Sequence, residues 1–243
     1  MARLSTAEDI INKTAVSVGL NSTADPVGSN EDTYIQLRQL LDDAGQEMVE
    51  IFPTQTLVQS YQVTTSSTDS GEYMLPDDYS YMIDQTGWEH TNRVSLGGPL
   101  SPQDWTYLKG RDLVSQSIYA SFRLQDNLFT ILPNDPVPEA LDINFEYISR
   151  NWVREAGGIR RDTIGANTDT VLFEPILIRK FLKCKWLDSK GFDASSAKHE
   201  FDTLLNSRMG KDTGAPILSA SQNQRGFPYL STLGNTPDSG YGG

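Results

Sequence analysis

The chain is poor in the residues that build redox and metal sites. It has one cysteine, Cys184, and two histidines, His90 and His199. A single cysteine excludes an intrachain disulfide, and so few thiols and imidazoles argue against a metal site of Cys and His ligands. We expect no metal and no cofactor. Because Cys184 falls on the apolar face of a predicted helix, a buried structural thiol is a better interpretation than a nucleophile.

Long apolar segments and positive charge are also scarce. No run approaches the roughly 20 apolar residues that span a bilayer, and MARLSTAEDIINK at the N-terminus lacks the apolar region of a secretory signal. We expect no membrane contact and a chain made and kept in the cytosol. The 20 basic residues are outnumbered by 32 acidic ones, for a net charge of -12. This balance argues against tight binding to phosphate, but it suits a wall past which DNA slides without sticking.

Motifs for catalysis are missing as well. The sequence has neither the GxxxxGK[ST] phosphate loop nor the GxSxG elbow of hydrolases. The Gly97-Gly98 and Gly157-Gly158 pairs are simpler to interpret as turns. Neighbouring acids such as Asp77 and Asp78 resemble a general acid and base for glycoside hydrolysis, but among 32 carboxylates such pairs are expected by chance. We predict that the protein is not an enzyme.

Helical patterns occupy the first fifth of the chain. Ser5 and Glu8 form a capping box for a helix predicted from about Thr6 to Val18. A second helix is predicted from about Glu31 to Phe52, because its apolar residues recur at alternating steps of three and four.

From Thr54 to about Ile148 the pattern changes to short segments rich in Val, Ile, Thr and aromatics, which predicts β-strands. Gln125, Asp126 and Asn127 are typical of a tight hairpin turn. Within this region, Ser101 and Pro102 predict the start of a short helix.

Helical periodicity returns near Pro175, and Asp193 is predicted to cap a last helix that stops near Gly210. We therefore predict an α+β fold: a helical bundle from both ends of the chain with an inserted, mainly antiparallel β region and an extended C-terminal tail. The predicted units are N-terminal bundle helices over 1–53, a β-rich insertion over 54–160, C-terminal bundle helices over 161–210 and the tail over 211–243.

The tail is dominated by glycine, proline and small polar residues, so an independent core is not expected there. A disordered tail and a docking segment both fit this composition. We favour docking, because five apolar side chains are spaced like anchors. The candidate anchors for docking on another subunit are Ile217, Leu218, Phe227, Tyr229 and Leu230.

The helix after Pro175 gathers bases in an acidic chain. A solvated face is one interpretation. The acids of the helix over 31–52 offer another, because the two helices are electrically complementary and could meet between subunits of a ring. The residues proposed for this intersubunit contact are Arg179, Lys180, Lys183, Lys190, Asp42, Asp43, Glu47 and Glu50.

Five segments give the chain a family resemblance. They are YMLPDDY from Tyr73, GGPLSPQDWTYLKGR from Gly97, LFTILPNDPVP from Leu128, INFEYISRNWV from Ile143 and NTDTVLFEPILIRKFLKCKWLDSKGFD from Asn167. In order and spacing they resemble the head-to-tail adaptor, or connector, proteins of short-tailed, P22-like bacteriophages, over about residues 31–210.

This resemblance implies a structural virion protein of the neck or tail, assembled in the host cytoplasm. The implied partners are the portal protein, a tail nozzle or tube protein and tail fibres. The implied assembly is a homo-oligomeric ring of 12 copies through whose lumen DNA passes without specific binding. The resemblance assigns no catalytic residues. It implies that the C-terminal extension reaches the portal.

Other functions are kept open. Another neck or tail-tube ring would surround the same conduit and differ in its partners. A virion-associated peptidoglycan hydrolase belongs to a different class and would be detected by a zymogram. A sequence-specific DNA-binding module conflicts with the net charge and lacks a recognisable reading helix.

Overall fold

The computed structural model describes residues 4–110, 121–134 and 136–212. These residues form five α-helices and three antiparallel sheets, with most strands in the middle of the chain. The helices are α1 (Ala7–Ser17), α2 (Asp32–Ile51), α3 (Pro102–Gly110), α4 (Pro175–Ser189) and α5 (Ser195–Asp212).

Local capping explains where several helices begin. Thr6, not the predicted Ser5, caps α1: its Oγ1 accepts a hydrogen bond from the Asp9 amide at 3.3 Å. Ser101 caps α3 as predicted, because its Oγ accepts from the Asp104 amide. Asp193 accepts from the Ser195 amide at the start of α5, as the sequence predicted.

The largest sheet is organised around one long strand, β8. Strand β1 pairs along its full length on one side, from Val58↔Ile148 to Thr64↔Asp142, and β3 and β4 also pair with β8. A second sheet has the order β2-β7-β6, and a third the order β10-β9-β11. The strands are β1 (Val58–Thr64), β2 (Glu72–Met74), β3 (Tyr79–Met82), β4 (Trp88–Glu89), β5 (Val94–Ser95), β6 (Ser121–Gln125), β7 (Leu128–Leu132), β8 (Asp142–Ser149), β9 (Val153–Arg154), β10 (Arg160–Arg161) and β11 (Thr170–Val171).

The hairpin between β6 and β7 confirms the predicted tight turn. Asp126 and Asn127 connect the strands with φ angles of 50° and 61°. Two consecutive residues in this left-handed region match the right-handed twist of the flanking strands, and Asp and Asn tolerate that conformation better than most residues.

Two hydrophobic clusters fill the interior, and β8 contributes to both. Ile143, Phe145 and Tyr147 lie in a β cluster with Phe122 and Phe129. Ile148 belongs to the cluster that also holds the buried faces of α1, α2, α4 and α5. Successive strand residues point to opposite faces, so a single strand can supply both clusters.

Helix α4 is the centre of the helical part, since α1, α2 and α5 all pack against it. Phe181 of α4 stacks on Phe201 of α5 with ring centroids 4.6 Å apart. Side chains in and beside the short strands complete this core: Val153 of β9 and the preceding Trp152 are fully buried there, as is Phe173 just before α4.

The predicted fold class is wrong. The described residues form a mixed arrangement of five helices and three antiparallel sheets, not a helical bundle of the two chain ends with an inserted β region. The third sheet supplies part of the core beneath the helices, and its strand β11 lies inside the stretch predicted as C-terminal helices. Sequence periodicity identifies the apolar face of each segment but not the segment that covers it. The predicted unit boundaries remain a prediction, and the tail lies outside the described residues from 213 onwards.

Candidate functional site

The bases of α4 point in different directions. Lys185 and Lys190 face α2: Lys185 forms an ion pair with Glu47, and Lys190 Nζ donates to Gln36 Oε1 at 2.6 Å. Lys190 also lies 4.5 Å from the centroid of a Trp186 ring. Part of the charge complementarity between α2 and α4 is therefore satisfied by contacts within one chain.

Lys180 faces α5 and forms an ion pair with Glu200. The hydrogen bond from Lys180, with its positive charge, lowers the pKa of Glu200. A second link between these helices joins Lys198 and Asp188 at 2.9 Å. Both links lie at the surface, where solvent screens such pairs and they contribute little to stability.

A basic groove of about 190 Å³ runs between α1 and α4. Its bases come from both helices: Lys13 from α1, and Arg179, Lys180 and Lys183 from α4. Ile176 adds an apolar side chain that is 39% exposed. We call this surface the α1–α4 groove. Lys13 pairs with Asp9 at 2.7 Å, and Arg179 Nε donates to the Pro175 carbonyl at 3.1 Å.

The outer face of α2 is acidic. Its exposed residues recur at helical spacing, and Asp43 accepts a hydrogen bond from Gln39 at 3.1 Å. Apolar side chains flank the acids, since Ile35 and Ile51 are 41% and 42% exposed. We call this surface the α2 stripe. It consists of Asp32, Ile35, Gln39, Asp43, Gln46, Glu50 and Ile51.

Asp42 is adjacent to the α2 stripe, but its side chain binds the backbone of the same chain. Its Oδ1 accepts a hydrogen bond from the Ile164 amide at 2.9 Å, which holds the loop before β11 against α2. Burial raises the pKa of Asp42, and the negative charges of Asp43 and Asp162 act in the same direction; the Ile164 hydrogen bond and Arg38 oppose this shift only in part.

The proposed intersubunit residues therefore do not form one surface. The structure brings Arg179, Lys180 and Lys183 together in the α1–α4 groove, and it leaves Asp43 and Glu50 exposed on α2. Lys190 and Glu47 contact residues of their own chain. Whether any of them meets a second subunit stays a prediction. The proposed portal-binding residues lie outside the described residues; they are Ile217, Leu218, Phe227, Tyr229 and Leu230.

Sequence reasoning missed four members of the α1–α4 groove: Lys13, Thr14 and Ser17 of α1, and Ile176 of α4. The sequence signals were weak: Lys13 is one base on an otherwise acidic first helix, and Ile176 belongs to the apolar run that opens α4. Only the packing of α1 against α4 shows that the two residues share a surface.

Asp78, one of the two acids considered above as a catalytic pair, binds side chains of β8. Asp78 accepts hydrogen bonds from the Tyr147 hydroxyl at 2.9 Å and from Ser149 Oγ at 2.5 Å. Within the described ranges, no group of three or more His, Cys, Asp or Glu side chains is arranged to hold a metal ion. The same part of the chain has no helix with the length and apolar character needed to cross a membrane.

A larger cavity, of about 410 Å³, lies where the C-terminal end of α5 approaches the N-terminal residues. Arg208 and Glu174 form an ion pair at 3.2 Å beside it, and Lys211 lies on the last described turn of α5. The described part of α5 therefore ends beside this cavity.

Comparison with known proteins adds no relative: no family model matches the chain, and no match was found among curated proteins. The family resemblance therefore depends on the five segments quoted above. In the structure the last two of them are joined to each other. Val153 pairs with Val171, the Leu172 amide donates to the Trp152 carbonyl at 3.0 Å, and Trp152 stacks on Phe173 at 6.3 Å.

Proposed function

We propose that the protein is a structural component of a virion, the head-to-tail adaptor of a short-tailed bacteriophage. It forms a ring beneath the portal protein, extends the DNA channel and offers a platform to a tail nozzle or tube protein and to tail fibres. The ring holds 12 copies, as the family resemblance implies. DNA passes through its lumen without specific binding.

The ordered series of segments carries this proposal. Its last two members, INFEYISRNWV and the segment from Asn167, pair strand to strand and share the buried contact of Trp152 with Phe173. This contact shows that the two segments belong to one folded core, and the proposal itself depends on the order and spacing of the five segments in the sequence. Sequence order does not specify a partner, so the partner is tested directly.

The charge balance supports the same function. A net charge of -12 repels phosphate, so a ring of this chain would not hold DNA tightly during passage. The bases that could attract DNA are partly engaged, because Lys180, Lys185 and Lys190 contact groups of their own chain.

The test is to mix the purified chain with the portal ring of its phage and to measure native mass and negative-stain images. We expect stoichiometric rings on the portal. Truncation after Asp212 keeps α5 whole, and it should weaken binding if the tail reaches the portal. A chain that ignores the portal contradicts the proposal. Binding to the tail tube instead would indicate another neck ring, and a cleared zone in a peptidoglycan zymogram would indicate a hydrolase.

Two variants of the full-length chain distinguish the effect of the anchor side chains from the effect of tail length. One variant changes the five proposed anchors to serine, and its control changes five polar tail residues to alanine. We expect the control to bind the portal like the wild type and the anchor variant to bind more weakly. Equal binding of both would show that the anchors do not contribute. The control positions are Ser219, Ser221, Gln222, Gln224 and Ser231.

A further inference from the structure

The α1–α4 groove has more positive charge than its own chain neutralises. Among the described residues, Lys13 and Lys180 each pair with a carboxylate, whereas no ion pair joins Arg179 or Lys183 to one. The hydrogen bond from Arg179 to the Pro175 carbonyl leaves its positive charge in place. The groove is therefore suited to a negatively charged occupant that also offers an apolar contact to Ile176.

Helical geometry separates this groove from the internal contacts of α4. Lys183 and Lys185 are two residues apart, which is about 200° around the helix. Lys185 therefore faces α2 and pairs with Glu47, while Lys183 faces the groove. An occupant of the groove would not have to break the contact between α2 and α4.

The α2 stripe has the complementary character. Asp43 and Glu50 are exposed, and within the described part of the chain neither is in an ion pair. They are seven residues apart, so they lie on one face about 10 Å from each other along the axis. Ile51 at the end of the stripe is 42% exposed, close to the 39% of Ile176 in the groove.

We propose that the α1–α4 groove of one copy binds the α2 stripe of a second copy. An antiparallel arrangement of the two helices would place Asp43 near Lys183 and Ile51 near Ile176. These pairs are matched in spacing, because eight residues from Asp43 to Ile51 span about 12 Å and seven from Ile176 to Lys183 span about 10.5 Å. Glu50, seven residues from Asp43, would then lie level with Ile176 and within one helical turn of Arg179.

This contact deepens the proposed ring function, on which it rests, by naming the subunit interface. Each copy carries one groove and one stripe, so the contact is head-to-tail and can be repeated from copy to copy. Such a heterologous interface closes into a ring when its rotation closes. Pairs of opposite charge set its register and speed encounter, and salt weakens them.

The experiment uses two charge-reversed forms of the full chain. One carries Arg179→Glu and Lys183→Glu, and the other carries Asp43→Lys and Glu50→Lys. Each variant should lose self-association by roughly tenfold or more, because its groove and stripe now have the same sign. Sedimentation velocity at low and high salt measures assembly, and thermal melts followed by circular dichroism check that both variants fold.

A mixture of the two variants gives the decisive outcome. The reversed groove of the first variant matches the reversed stripe of the second, and the unchanged groove of the second matches the unchanged stripe of the first. An equal mixture should therefore assemble like the wild type by alternating the two forms. A matched control, Arg150→Glu with Arg154→Glu, reverses two exposed bases away from the groove and should assemble normally.

Three results would overturn the inference: a wild-type chain that stays monomeric at low salt, variants that assemble like the wild type, or a mixture of folded variants that stays dissociated. The portal experiment is independent of this one. Portal binding with unaffected variants would retain the adaptor function and reject this interface. Rescue by mixing without portal binding would support the interface and reject the adaptor.

Discussion

Gly45 of α2 lies directly against the indole ring of Trp152. A Cβ atom on Gly45 would overlap that ring, so the close approach of helix and tryptophan requires glycine. Trp152 is fully buried, and its Nε1 donates to the Asp162 carbonyl at 2.8 Å. The ring is therefore held in place and cannot move aside without losing this hydrogen bond.

We expect Gly45→Ala to lower the free energy of unfolding by about 1–3 kcal/mol, the usual cost of adding atoms to a filled core. Chemical denaturation measures the change. Gly157→Ala is the control, because a Cβ at that exposed position meets nothing within 4 Å and no positive φ is involved. Equal stability of the two variants would show that Trp152 has room to relocate.

Glu89 should make part of the stability depend on pH. It is 1% exposed, and its carboxylate accepts hydrogen bonds from the Thr91 and Asn92 amides at 2.6 and 2.7 Å. Burial alone would raise its pKa, but the hydrogen bonds from Asn92 and Thr91 together outweigh burial and lower the pKa. The ionised side chain therefore stabilises the fold above its unfolded pKa, and this contribution is lost as the pH falls through the folded pKa.

The measurement is urea unfolding of the wild type and Glu89→Gln between neutral pH and the acid range below about pH 4.3. At neutral pH we expect the variant to be about 1–3 kcal/mol less stable, because an amide replaces one acceptor by a donor facing a backbone N–H. The difference should shrink towards acid pH. A difference independent of pH, or an equal loss in the exposed control Glu139→Gln, would contradict this role.

Asp42 should stabilise the fold through the acceptor oxygen of its side chain and not through its negative charge. Asp42→Ala removes the acceptor for the Ile164 amide, so we expect a loss of about 1–3 kcal/mol. Asp42→Asn keeps an acceptor and should lie much closer to the wild type at neutral pH.

The sign of the pH effect at Asp42 is opposite to that of Glu89. Because burial raises the pKa of Asp42, its contribution to stability is present below the unfolded pKa and is lost as pH rises through the folded pKa. The Asn variant should therefore gain relative to the wild type over that rise. Denaturation over the pH series tests this, with Asp43→Asn as the exposed neighbour; an Asn variant as unstable as the Ala variant would assign the effect to charge.

Cys184 should be unreactive in the folded chain. The thiol is 3% exposed, and burial, together with the negative charge of Asp188, raises its pKa. We expect iodoacetamide to modify it more than about tenfold faster after denaturation than before. A Cys184→Ala, Ser196→Cys variant places one thiol on exposed α5 as a control, and modification of native Cys184 at the control's rate would show that the helix opens readily.

Local features could be predicted from the sequence because they depend on neighbours in the chain. The helix predicted over Glu31 to Phe52 is α2, with Glu31 and Phe52 as its caps, and the turn at Asp126 and Asn127 joins β6 to β7. The buried position of Cys184 follows from its place on the apolar face of α4.

The arrangement of these elements could not be predicted in the same way. The sequence suggested that helices alone would cover one another, but Trp152, Val153 and Phe173 fill the core beneath them. In the charged surfaces, the sequence grouped Lys190 with the other bases proposed for an intersubunit contact, whereas in the structure it binds Gln36 of its own chain. Lys190 and Gln36 are 154 positions apart, so no local sequence pattern reports their contact.

By itself the sequence determined the longer helices, the caps at Ser101 and Asp193, the tight turn, the acidic balance and the shortage of thiols and imidazoles, because these depend on composition and short-range spacing. The tertiary structure decided which faces meet. Packing of α1 on α4 made a groove of Lys13, Arg179 and Lys183, and packing of α2 on α4 paired Lys185 with Glu47. The physical reason is that the hydrophobic effect has no preferred direction. An apolar face must be covered, and only the folded chain selects the surface that covers it.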